Sequence, residues 1–114
     1  MGRMDPVRLL DAGFGFATVY YGDIDPDFLG GIPHGVRARY LKPGQSEPAP
    51  NEWGAIAAWA WGISRAVDYL VTDPQIDATR IAAIGHSRNG KQALLAAAFD
   101  ERIGAVIPSS GNTG

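Results

Sequence analysis

Residues 80–91 read Arg-Ile-Ala-Ala-Ile-Gly-His-Ser-Arg-Asn-Gly-Lys. A short apolar run at 81–84 leads into Gly85-His86-Ser87, and a helix-forming run at 92–99 follows directly. A strand, a tight turn and a helix in such quick succession leave the chain few options other than a strand–helix–strand crossover. A serine on this kind of turn stands above the end of the strand, where its hydroxyl can act as a nucleophile. Gly85 turns the chain with no Cβ to clash, and Gly90 lets the new helix pack close to the strand. The spacing is Gly-x-Ser-x-x-Gly, one residue longer than the common Gly-x-Ser-x-Gly.

The flanks extend the same alternation. Residues 7–12 read as the end of a helix stopped at Gly13. Residues 16–21, Phe-Ala-Thr-Val-Tyr-Tyr, are β-branched and aromatic between glycines and predict a strand. Residues 22–51 are rich in Gly, Pro and Asp and read as a long irregular stretch, a length more often functional or inserted than passive. Asn51 is a candidate N-cap with Glu52 in the first turn. The helix it opens runs to about Val71, before Asp73-Pro74. Ile56, Trp59, Ile63, Val67 and Leu70 keep the spacing of a buried stripe. Small residues cover much of the remaining helix surface, which predicts close packing on a sheet. Residues 103–108 predict a further strand, and 109–114 an open loop. The order strand, helix, strand, helix, strand implies a parallel sheet. Three strands with exposed edges make a poor independent domain, so residues 1–114 read as the central slab of a larger α/β domain.

Composition narrows the function classes. The chain has 114 residues, 46% of them hydrophobic, with a formal net charge of −2. That describes a globular chain with no electrostatic case for nucleic acid. No apolar run reaches the ~20 residues that span a bilayer, and residues 1–5 lack the apolar stretch of a leader. With no cysteine there is neither a disulfide framework nor a thiolate metal site. His34 and His86 are too few and too far apart to suggest a metal centre, and no metal or organic cofactor is expected.

Gly85-His86-Ser87-Arg88-Asn89-Gly90-Lys91 is similar to the nucleophile motif of the glucuronoyl esterases, carbohydrate esterase family 15. Residues 17–27, residues 53–62 with 64–70, and residues 99–103 resemble the same family in the same order. Together these segments are spread along residues 14–114. His86 stands where fungal members typically carry a cysteine, so the likeness is to the bacterial type. The resemblance implies an α/β-hydrolase fold: a three-layer αβα arrangement with a mostly parallel sheet, here partial, with roughly three strands and two to three helices. It also implies cleavage of esters on the carboxylate of (4-O-methyl-)glucuronic acid, as in links between glucuronoxylan and lignin alcohols. Such a polymeric substrate implies a secreted or periplasmic protein. An acetylxylan-type esterase is the alternative hydrolase, and an inactive fragment the alternative outside catalysis.

The resemblance assigns Ser87 as nucleophile of an acyl-enzyme mechanism. An ordinary turn serine capping a helix is the competing reading. Arg88 follows directly; its backbone N–H is the expected oxyanion donor, and in the family its guanidinium also faces the oxyanion. A surface arginine paired with Asp68 or Asp77 is the alternative. Lys91 matches the lysine that, in the family, hydrogen-bonds uronic acid hydroxyls; a solvated helix lysine is the alternative. Trp53, Trp59 and Trp61 suit core packing better than a sugar platform. Asp23, Asp25 and Asp27 read as solvated loop acids rather than a cation loop. In this fold a histidine should follow the serine along the chain, and none follows Ser87. His86 is expected to point away from Ser87, and His34 lies upstream. The base and its acid are therefore expected beyond Gly114, and the 114-residue chain alone is expected to be inactive.

Overall fold

The computed structural model describes residues 4–111. Residues 1–3, part of the segment searched for a leader, and 112–114, the end of the final loop, lie outside them. The elements run α1 (Pro6–Asp11), α2 (Tyr21–Ile24), α3 (Ala55–Leu70), β1 (Ile81–His86), α4 (Arg88–Phe99) and β2 (Ile103–Ser109), with 3-10 turns at Ile32–His34 and Val36–Tyr40 between α2 and α3.

β1 and β2 are parallel neighbours, with Ala83 opposite Val106 and His86 opposite Ser109. α4 connects them, so the predicted crossover is present. Along β1 the covered residues are Ile81, Ala83 and Gly85, while Ala82, Ile84 and His86 face out. Only one face of the strand pair carries a helix among the described residues, so two of the three expected layers are seen. The other face leaves Ile84 and Ile107 exposed. Parallel strands are ordinarily covered on both sides.

α3 packs chiefly on α4 rather than on the sheet. Ala60 and Val67 of α3 meet Ala83, Ala93, Ala96 and Ile103 in one cluster. Alanine dominates this cluster, which is why the helices approach closely. The predicted stripe on α3 holds at Trp59 and Val67, which are buried, while Ile56, Ile63 and Leu70 are half-buried. A buried hydrogen bond reinforces the contact: the Gln92 side-chain amide donates to the Trp59 carbonyl at 3.2 Å.

Two local expectations fail for definable reasons. Residues 16–21 are not a strand: 14–20 have no regular structure and Tyr21 opens α2. High β-propensity needs a neighbouring strand to express itself, and none pairs here among the described residues. The aromatics pack on one another at a tilt instead, Tyr20 on Tyr21 and Tyr21 on Trp59, with ring centroids 4.9 and 4.7 Å apart. Among the described residues the sheet therefore has two strands rather than the expected three. The N-cap of α3 is Gly54, not Asn51. Glu52 is drawn away from the helix, its Oε1 accepting from the Ala49 N–H and the Gln45 amide, both at 3.0 Å.

At the far end of α4, Asp100 is buried and takes two bonds from the Arg102 guanidinium, at 2.9 and 2.8 Å. Arg102 also pairs with Asp68 of α3 at 2.8 Å. Hydrogen bonding from Arg102 holds the Asp100 carboxyl far below the usual carboxylate range. A depressed folded-state pKa stabilises the fold above the ordinary carboxylate value of about 4, and this stability is lost as pH falls below it. Wild type should therefore lose denaturation midpoint more steeply than Asp100→Asn between about pH 5 and pH 2. Parallel slopes for the two proteins would contradict the role of this pair.

Candidate active site

The turn between β1 and α4 is where the sequence chemistry concentrates. Ser87 has φ 55° and ψ −119°, a conformation that costs a non-glycine residue roughly 1–3 kcal/mol and persists only under tertiary constraint. The constraints are visible. The Ser87 N–H donates to the Ser109 carbonyl at 2.8 Å, tying the turn to the end of β2. Its carbonyl accepts from the N–H groups of Gly90 and Lys91, at 2.9 and 3.1 Å, starting α4. A Cβ on Gly85 would lie 2.0 Å from the Asn89 carbonyl oxygen, so the first turn of α4 folds back directly over the last residues of β1. A Cβ on Gly90 would lie 3.0 Å from Gly111 Cα and 3.2 Å from the Ser109 oxygen. The second glycine of the motif thus serves close contact with the end of β2 and the loop after it.

Ser87 is at the N-cap position, yet its side chain makes no capping bond. The hydroxyl is exposed rather than used to hold the helix. Among the described residues, the N–H groups of Arg88 and Asn89 meet no acceptor. These orphan donors at a helix N-terminus form a site suited to negative charge.

Ser87 opens onto a cleft of about 140 Å³ lined by Tyr21, Trp59, His86, Ser87, Arg88 and Asn89. The Arg88 guanidinium lies 6.0 Å from the Trp59 ring centroid and pairs with the Asp27 carboxylate. Arg88 therefore has a carboxylate partner, but neither of those expected. Asp68 pairs with Arg65 and Arg102, both at 2.8 Å, and Asp77 with Arg80 at 3.6 Å. Lys91 is half-buried in the first turn of α4, forms no ion pair among the described residues and is not part of the cleft lining.

Trp59 joins core and cleft. It is 1% exposed, and its indole N–H donates to the Asp25 carbonyl at 2.8 Å. Asp25 is not a solvated loop acid. Its side chain is fully buried and takes two bonds from the Arg37 guanidinium, at 2.8 and 3.1 Å, and one from the Arg37 N–H at 3.2 Å. Trp53 packs edge-on against Tyr40, and Trp61 lies beneath the Arg65 guanidinium.

Neither histidine reaches Ser87. His86 lines the cleft with Nδ1 3.3 Å from the Ser109 hydroxyl, and His34 stacks on Phe28. Among the described residues no group of His, Cys, Asp or Glu side chains converges to hold a metal ion. The site thus presents a strained, exposed serine, a cationic side chain beside it and unspent backbone donors.

Comparisons with known proteins agree with this geometry. The family described as "Glucuronyl esterase, fungi" matches residues 48–114, the segment that carries α3, β1, the Ser87 turn, α4 and β2. The chain is 45% identical over 114 residues to carbohydrate esterase MZ0003, from an unknown prokaryotic organism, a match covering 99% of this chain and 26% of that protein. It is 40% identical over 104 residues to a 4-O-methyl-glucuronoyl methylesterase of Podospora anserina, covering 88% of this chain and 21% of that one. The solved glucuronoyl esterase of Solibacter usitatus superposes with a TM-score of 0.87 at 53% identity, over 93% of this chain and 28% of that chain. This chain thus spans about a quarter of the length of the relatives it matches, and the shared part is a piece of an α/β-hydrolase fold. With the Ser87 elbow and its flanking helices all inside the matched region, the chain belongs to the glucuronyl esterase family.

Proposed function

We propose that this chain is the nucleophile-bearing part of a larger hydrolase domain that cleaves esters of (4-O-methyl-)glucuronic acid, as found between glucuronoxylan and lignin alcohols. The carrying observation is Ser87 at φ 55°, exposed over a cleft with its hydroxyl free of any capping role. A fourfold greater length in the relatives and the bare apolar face of the β1–β2 pair both support a larger domain. This reading has the protein act outside the cytoplasm, secreted or periplasmic, where a cell-wall polymer is within reach.

In this reading Ser87 Oγ attacks the ester carbonyl, and the alcohol leaves with a proton. A glucuronoyl ester on Ser87 remains, which water then hydrolyses to the free uronic acid. The tetrahedral oxyanion forms against the Arg88 N–H and guanidinium; one preorganised donor of this kind typically lowers the barrier by about 3 kcal/mol. Lys91, further along α4, donates to hydroxyls of the uronic acid ring. The base that activates Ser87 comes from outside the described residues, since neither His34 nor His86 hydrogen-bonds it.

Substrate choice tests the reading. The complete protein should release benzyl alcohol from benzyl glucuronate and leave acetylated xylan largely untouched. Release of acetate alone would replace this function with that of an acetylxylan-type esterase, in which the sugar supplies the alcohol rather than the acid.

A further inference from the structure

We propose that Asp27 is a positioning residue that holds the Arg88 guanidinium in its working orientation beside Ser87. The inference rests on the esterase reading above and names a part of the site that the sequence motif does not contain.

An arginine at the first position of a helix has many accessible rotamers, and Arg88 is 60% exposed. Two contacts narrow that freedom. The Trp59 ring lies under the guanidinium, and the Asp27 carboxylate takes one of its Nη groups. Guanidinium has five N–H donors in a rigid fork, so spending one edge on Asp27 leaves the others for an oxyanion.

Asp27 can do this only if its own loop is fixed, and the structure shows how. Asp25, two residues earlier, is fully buried against Arg37, and its carbonyl accepts from the Trp59 indole. Trp59 therefore supplies both the floor beneath Arg88 and the anchor of the loop that delivers Asp27. A partly exposed ion pair contributes little to stability, so the consequence of this one lies in geometry. Asp27 touches no reacting atom; it acts through Arg88.

The test is a double-mutant cycle in the complete protein with benzyl glucuronate. Asp27→Asn should lower kcat about tenfold while KM changes less than twofold. Asp27→Glu, which keeps the charge, should recover part of the loss. In an Arg88→Gln background, Asp27→Asn should have almost no further effect. An unchanged kcat in Asp27→Asn, or the same tenfold loss in the Arg88→Gln background, would overturn the proposal. A readout independent of turnover separates this from failure of the esterase reading. In 15N NMR the Arg88 Nη groups should be resolved in wild type, because Asp27 slows rotation about Nε–Cζ, and averaged in Asp27→Asn. Averaging already present in wild type would overturn the proposal whatever the substrate.

Discussion

Replacing Ser87 with alanine is expected to reduce hydrolysis of a glucuronate ester by the complete protein to near background, a loss on the order of 10⁶ by analogy with removal of other serine nucleophiles. The physical reason is that no other group can take its place. The hydroxyl stands over the cleft on a backbone held at φ 55°, whereas the Ser109 hydroxyl lies 3.3 Å from His86 Nδ1 and is not part of the cleft lining. Folding should be little affected, because the Ser87 side chain caps nothing and its backbone bonds to Ser109, Gly90 and Lys91 survive the change. Equal denaturation midpoints with lost turnover would separate chemistry from structure. A variant retaining a tenth of wild-type activity would remove Ser87 from the mechanism.

Gly85→Ala is expected to act in the opposite way, through the fold. The new methyl would sit 2.0 Å from the Asn89 carbonyl oxygen, and the obstacle is backbone, so no rotamer change relieves it. Either the first turn of α4 lifts off β1 or the Ser87 turn opens. Overpacking of this kind reaches about 3 kcal/mol or more. The denaturation midpoint should fall by that equivalent, and whatever folded protein remains should be a poor catalyst, because Ser87 and the Arg88 N–H move with the turn. A Gly85→Ala protein with wild-type midpoint and turnover would contradict the tight strand-to-helix junction. Gly90→Ala meets its neighbours at 3.0–3.3 Å rather than 2.0 Å and should be the milder change.

The junction itself was legible in the sequence because its signals are local. The apolar run at 81–84, the glycines at 85 and 90 and the serine between them all lie within ten residues, and β1, α4 and β2 form close to where patterning places them. The helix begins at Arg88 rather than Gln92, since Ser87, not a later residue, closes the first turn. What could not be read is what long sequence separations create. Asp25 lies 34 residues from Trp59, and Asp27 lies 61 from Arg88. Nothing in the pattern Asp23, Asp25, Asp27 distinguishes a buried acid from a solvated one, and nothing singles out Arg37, twelve residues on, from Arg39 as the partner of Asp25. The aromatic run at 16–21 misled for a related reason. Its composition suits a strand, but among the described residues no strand pairs with it, and Tyr21 at its end packs at a tilt on Trp59.

Irreversible labelling tests the central claim most directly. The complete protein, treated with an organophosphonate that esterifies activated serines, should lose turnover in step with a single adduct, and peptide mass spectrometry should locate it on Ser87. Full inactivation with Ser87 unmodified, or with the adduct on Ser109 or Ser110, would contradict the account.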